Sequence, residues 1–337
     1  MSFAWTGGSV LSVKVVFLFP GQGSQEVGMG KEIAEKFQIA RDVFQKANDV
    51  LGWDITKLCF EGPAEDLQKT RNTQPAILTV SLAIQVVLED WGIVPSAALG
   101  HSLGEYAALH AAGVLDFSST LKFIAKRALF MEEAANEKPG GMTAILGAPE
   151  GIPYEVCQSL ASRGVIGVAN YNSPTQVVIS GEKELVNEAG ALIKEKGARR
   201  IIPLAVSGAF HTSLMAGAEE KLRGELVGIP FSDPKFPVIS NVTAAPYRNG
   251  TEVRELLPRQ ITSPVRFTES LMKALELGFQ TYIEVGPGAV LTGLAKKTLP
   301  PHARIHSVRC VASLRDLLVN LSPKGSAKAE QEVTHEA

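Results

Sequence analysis

Apolar residues follow two rhythms along this chain, short unbroken runs and longer stretches with a helical repeat, and their order predicts a parallel α/β core. The first run, 13–19, has the length of one buried strand and leads into the glycine-rich Phe19-Pro20-Gly21-Gln22-Gly23-Ser24-Gln25. Helical spacing follows over 30–40 and 41–51, and most strongly over 73–91, where Leu78, Leu82 and Val86 fall on one face. A second apolar run, 93–99, ends at Gly100 and gives way to a helical pattern over 105–112 that Gly113 terminates. A further helix is expected over 118–135.

From about Gly140 the rhythm changes. Strand patterns over 142–146, 166–172, 176–181 and 199–204 interleave with helical patterns over 152–163 and 183–196. The resulting β-α-β-β-α-β order is that of a ferredoxin-like unit. It predicts a ferredoxin-like subdomain, 140–206, inserted into an α/β-hydrolase-like catalytic core made of 14–139 and 207–315. Strands at 238–242 and 281–285, the second followed by Gly286-Pro287-Gly288 and a helix, return the chain to that core. Residues 1–13 form an N-terminal extension, and the small, polar and charged 322–337 is expected to be a disordered tail.

Composition narrows the function classes. A chain of 337 residues with 45% hydrophobic content can bury a large core, which excludes disorder for most of it. A formal net charge of −2 gives no electrostatic ground for nucleic acid or a membrane surface as partner. No run approaches the roughly eighteen apolar residues of a membrane span. The apolar 10–20 has Lys14 inside it, nothing basic before it and no small-residue cleavage site after it, so it is not expected to be a secretion signal. Cys59, Cys157 and Cys310 lack metal-like spacing and fit free thiols in a reducing compartment, the cytoplasm.

The candidate chemistry centres on Gly100-His101-Ser102-Leu103-Gly104, a Gly-x-Ser-x-Gly pattern set where a buried strand ends and a helix begins. Such a nucleophile elbow exposes the serine at the top of a sheet, beside unpaired N–H groups of a helix N-terminus that stabilise an oxyanion. A tight turn with an incidental serine is the other reading. A serine hydroxyl needs a base, and of the six histidines His211 is the best placed, in the loop Ser207-Gly208-Ala209-Phe210-His211-Thr212 where the subdomain rejoins the core. Arg127 sits on an otherwise apolar helix. It is either a surface residue with a buried stem or, if it faces the cleft, a bidentate clamp for a substrate carboxylate.

Five separated motifs together resemble the malonyl-CoA:acyl-carrier-protein transacylase family, over about residues 14–315. They are the Phe19–Gln25 loop, Gly100-His101-Ser102-Leu103-Gly104-Glu105-Tyr106, Arg127 in Lys126-Arg127-Ala128-Leu129-Phe130-Met131, Gly208-Ala209-Phe210-His211, and Glu284-Val285-Gly286-Pro287-Gly288. The resemblance implies Ser102 as nucleophile and His211 as base, with the backbone carbonyl of Gln260 orienting the histidine in place of an acid. It further implies an oxyanion hole from the N–H groups of Gln22 and Leu103, and a pairing of Arg127 with the malonyl carboxylate. Leu103 and Phe210 resemble the malonyl-selective pattern. The implied reaction carries a malonyl group from malonyl-CoA to the phosphopantetheine thiol of an acidic acyl carrier protein, for fatty-acid or polyketide synthesis. A monomer is expected, with no cofactor or metal and with a local basic surface at Lys194, Lys196, Arg199 and Arg200 or at Lys296 and Lys297. The rivals are an acyl hydrolase of the same fold, which Arg127 disfavours, and a non-catalytic docking subunit, which the presence of Ser102 and His211 disfavours.

Overall fold

The computed structural model describes residues 14–206 and 208–321. The chain opens with β1 (Val15–Phe19), α1 (Lys31–Lys36), α2 (Gln38–Leu51), α3 (Ile55–Glu61), α4 (Ala64–Gln68), α5 (Thr70–Asp90), β2 (Ala97–Gly100), α6 (Gly104–Ala111) and α7 (Phe117–Glu137). A middle section follows: β3 (Gly141–Leu146), α8 (Ile152–Leu160), β4 (Ile166–Ser173), β5 (Gln176–Gly181), α9 (Lys183–Glu195) and β6 (Arg200–Pro203). The last third holds α10 (Ala216–Glu225), β7 (Val238–Ile239), α11 (Gly250–Arg259), α12 (Phe267–Glu276), β8 (Thr281–Val285), α13 (Val290–Thr298), β9 (Arg304–Val308) and α14 (Val311–Leu321).

Two sheets organise these elements. The larger has the order β7-β2-β1-β8-β9, and every pairing in it is parallel. All five residues of β1 are buried because both faces of the sheet are covered. Its side chains alternate accordingly: Val15, Phe17 and Phe19 join the core beneath α5 and α7, while Val16 and Leu18 join a second core with Phe267, Leu271 and Leu294. The smaller sheet, β4-β5-β3-β6, is antiparallel throughout and packs against α8 and α9 in the order of a ferredoxin-like unit. Pro139 and Gly208 form an isolated antiparallel bridge, so the chain enters and leaves this section through adjacent points.

The fold class is the expected mixed α/β arrangement, and the differences from the sequence reading are local. Five helices separate β1 from β2 where three patterns were legible, because α3 and α4 are too short to show a period. The strand expected over 238–242 stops after Ile239: the Asn241 N–H donates to the Glu105 carboxylate at 3.0 Å instead of continuing the ladder. The edge strand β9 was not legible at all, since Arg304 and His306 interrupt its apolar residues. The expected terminal extension and tail lie outside the described residues.

At the C-terminal ends of β1 and β2, chain and helix meet at backbone contact. A Cβ built on Gly100 would lie 1.9 Å from the Gly104 carbonyl carbon, and one on Gly104 would lie 2.1 Å from the Phe19 carbonyl oxygen. Gly104→Ala is therefore expected to lower stability by about 3 kcal/mol or more, because rigid backbone must move. Gly217→Ala, in α10 with open space around it, is expected to raise it by about 0.5–1 kcal/mol. Urea denaturation of the two variants checks the contrast.

Candidate active site

Ser102 stands where β2 turns into α6, and its backbone takes the left-handed conformation, φ 51°. For a residue with a Cβ this costs about 1–3 kcal/mol and persists only where neighbours enforce it. Asn241 does so from the loop after β7. Its Oδ1 accepts from the Ser102 N–H at 2.8 Å and its Nδ2 donates to the Gly100 carbonyl at 2.7 Å, so one amide clasps both sides of the turn.

His211, also left-handed at φ 63°, follows the point where the chain returns from the smaller sheet. Its Nδ1 faces two carbonyl oxygens, Gln260 at 2.8 Å and Ser263 at 3.1 Å. Since both can only accept, Nδ1 carries the hydrogen and Nε2 keeps a free lone pair. The Ser102 hydroxyl donates to that lone pair across 2.9 Å. Burial first, and the neighbouring Arg127 charge second, push the His211 pKa down to about 3. The imidazole is thus neutral and able to accept a proton at physiological pH.

Arg127, on α7, is 1% exposed, which overturns the surface reading of this residue. Its Nη1 donates to Gln74 Oε1 at 2.6 Å, and its Nη2 donates to Gln260 Oε1 and to Ser102 Oγ, each at 2.9 Å. The guanidinium also lies over the Tyr106 ring, 5.7 Å from its centroid. Of the five N–H bonds of a guanidinium, two remain uncommitted, and the buried Nε has no partner among the described residues. A buried cation with spare donors beside a serine hydroxyl is equipped to bind an anionic group.

The loop after β1 lies against the elbow: the His101 N–H donates to the Phe19 carbonyl at 3.0 Å, and a Cβ on Gly21 would sit 2.7 Å from the His101 oxygen. Among the described residues nothing accepts from the backbone N–H of Gln22 or of Leu103, the residue that opens α6. Leu103 and Phe210 are both buried, Phe210 in a cluster with Met131 and Ile261. Other histidines have other tasks. His101 Nε2 bonds Asn172 Oδ1 on β4 at 2.8 Å, and His110 bonds the Leu115 carbonyl at 3.1 Å. Among the described residues no cluster of His, Cys, Asp or Glu is placed to hold a metal ion.

Several residues in this site escaped the sequence reading. Gln74 and Asn241 are ordinary polar residues at the edges of apolar patterns. Glu105 carried a stronger signal, a carboxylate on an otherwise apolar helix, and it is fully buried. Burial pushes its pKa up to about 7 against the pull of its hydrogen-bond donors Tyr247, Gln260 and Asn241.

A serine on a strand-to-helix elbow, hydrogen-bonded to a neutral histidine and beside a buried arginine, points to the class: an α/β enzyme of acyl transfer. Residues 16–337 match the family described as "Acyl transferase domain", and the chain belongs to that family. It is 46% identical over 285 residues to the malonyl CoA-acyl carrier protein transacylase of Bacillus subtilis strain 168, covering 84% of this chain and 90% of that protein. It is 44% identical over 282 residues to the protein of the same name from Escherichia coli K12, covering 83% and 91%. Among solved structures, a malonyl-transacylase in complex with a type II PKS acyl-carrier protein superposes with a TM-score of 0.88 at 42% identity, covering 91% of this chain and 99% of that one.

The depressed His211 pKa sets a pH dependence of stability. An unfolded histidine takes up a proton below about 6.5 whereas folded His211 resists until about 3, so this residue opposes folding increasingly as pH falls through that window and has no effect above it. His211→Gln removes the penalty. Relative to the parent, the variant is expected to gain about 2–3 kcal/mol between pH 7.5 and pH 4.5, read by urea unfolding at the two pH values.

Proposed function

We propose that Ser102, His211 and Arg127 carry a malonyl group from malonyl-CoA to the phosphopantetheine thiol of an acyl carrier protein by a two-step exchange. The observation that carries the reading is the shared hydroxyl: Ser102 Oγ lies 2.9 Å from His211 Nε2 and 2.9 Å from Arg127 Nη2. Nucleophile, base and carboxylate receptor therefore meet at one atom.

In the first step Ser102 Oγ attacks the thioester carbonyl and its proton passes to His211 Nε2. The oxyanion is received by the N–H groups of Gln22 and Leu103. The carbon–sulfur bond breaks and the departing thiolate takes the proton from His211, leaving a malonyl ester on Ser102. In the second step the carrier thiol gives its proton to His211 and attacks the ester, the ester C–O bond breaks, and Ser102 Oγ takes the proton back from His211. The Gln260 and Ser263 carbonyls hold the imidazole hydrogen on Nδ1 throughout. The Arg127 charge depresses His211, so a malonyl carboxylate paired with Arg127 offsets that field and makes the base stronger when the right substrate is bound.

The hydrolase alternative replaces the second thiol with water. It gives Arg127 no counter-ion, and an unpaired buried guanidinium is costly to keep. Leu103 and Phe210 restrict space beside the malonyl C2, a discrimination of about 1–3 kcal/mol per methyl. We place the reaction in a monomer in the cytoplasm, a reading that free Cys59, Cys157 and Cys310 support. Among the described residues no helix is long and apolar enough to cross a membrane. Residues 140–206 act as an inserted subdomain that contacts the elbow through Asn172, which bonds His101. Of the basic residues suggested for carrier docking, Lys194 donates to the Ala198 and Arg199 carbonyls, while Lys196, Arg199, Arg200, Lys296 and Lys297 are exposed.

Arg127→Ala is expected to lower kcat/KM for malonyl-CoA by about 10–100-fold, the loss of a charge-assisted bond, and to relax selection toward acetyl-CoA. Steady-state transfer to a holo carrier protein measures both. Unchanged values on both donors would leave Arg127 without a role.

A further inference from the structure

Behind the elbow, Glu105 receives three donors from two segments, the loop after β7 and the end of α11. Its Oε1 accepts from the Tyr247 hydroxyl at 2.7 Å and from the Asn241 N–H at 3.0 Å, and its Oε2 accepts from Gln260 Nε2. Gln260 Nε2 also donates to the Ser102 carbonyl at 2.9 Å. With its nitrogen committed to two acceptors, the Gln260 amide has one orientation open to it, which presents Oε1 to Arg127 Nη2 at 2.9 Å. The reverse orientation would set N–H against guanidinium and oxygen against two oxygens.

We propose that Glu105 is a positioning residue for substrate selection: by accepting from Gln260 Nε2 it fixes the polarity of the Gln260 amide, and that amide holds the Arg127 guanidinium in place beside Ser102. The inference rests on the proposed role of Arg127 as the malonyl carboxylate receptor. All five groups are buried: Glu105 and Gln260 are 0% exposed, and Asn241, Tyr247 and Arg127 are also shielded from solvent. Water therefore cannot substitute for a missing acceptor without opening the core.

The arrangement tolerates a proton on the carboxyl group. The groups facing Glu105 are Tyr247, Tyr106 and Arg127. A proton on Oε1 has the Tyr247 oxygen as acceptor, and the Tyr247 hydroxyl has Ser240 as a second partner. Oε2 then stays an acceptor for Gln260. A glutamine at position 105 keeps an acceptor oxygen for Gln260 in only one of its two amide orientations, and that one sets its nitrogen against the Asn241 N–H, whereas a methionine of similar length offers no acceptor.

The test is single-turnover acylation by malonyl-CoA and by acetyl-CoA, read as the ratio of the two rates, in the full chain and in Glu105→Met, Glu105→Gln, Gln260→Met and Arg127→Ala. Gln260→Met keeps the backbone carbonyl that His211 uses. Glu105→Met and Gln260→Met are each expected to lower the malonyl-to-acetyl ratio about tenfold, the loss of one bond to a charged group. Glu105→Gln is expected to fall between the parent ratio and that of Glu105→Met, since one of its two amide orientations retains the acceptor for Gln260. A parent-like ratio in Glu105→Met or in Gln260→Met overturns the proposal, and so does a Glu105→Gln ratio as low as that of Gln260→Met. If Glu105→Met does not fold, the Glu105→Gln and Gln260→Met ratios decide it. A parent-like ratio in Arg127→Ala contradicts the carboxylate-receptor reading itself.

Discussion

The left-handed turn at Ser102 is the constraint on which the site depends. A non-glycine residue at φ 51° is unfavourable in isolation, and it is held here by backbone packing and by one amide. Gly100 and Gly104 let strand and helix touch, and the Asn241 amide bridges the two sides of the turn. The hydroxyl consequently projects toward His211 and Arg127, while the N–H of Leu103, just before α6, has no partner among the described residues. The same turn brings Glu105 beneath the serine, where its carboxylate ties the loop after β7 to the end of α11.

Charge burial gives the site its second property. A guanidinium, a carboxyl group and an imidazole are all shielded from water, and the guanidinium acts on both of the others. Arg127 keeps its charge because Gln74, Gln260 and Ser102 solvate it, and because the Tyr106 ring lies beneath it. His211 stays neutral because burial and Arg127 both oppose its protonation. In the proposed reaction the substrate carboxylate relieves that electrostatic tension, which would link substrate selection to base strength without any moving part.

Local patterns in the sequence disclose the elbow and both halves of the fold, since each depends on residues close together in the chain. The elbow needs only two glycines around a serine, and β1 needs only a run of apolar residues. What the pattern left open depended on distance. Helical periodicity placed Arg127 on an apolar helix but did not say whether its head reached solvent or the cleft. Asn241 looked like the continuation of a strand because its true partners, Gly100, Ser102 and Glu105, lie more than a hundred positions away. The family resemblance implies a role for only the backbone carbonyl of Gln260. Its side chain, which joins Glu105 to Arg127, left no local trace.

Intact-mass spectrometry after brief exposure to malonyl-CoA, followed by a holo acyl carrier protein, tests the central claim most directly. The account predicts one malonyl adduct on the parent chain, none on Ser102→Ala, and transfer of that adduct to the carrier thiol. An adduct that persists in Ser102→Ala would contradict the assignment of the nucleophile. An adduct lost to water, with none appearing on the carrier, would contradict the transfer and leave hydrolysis in its place.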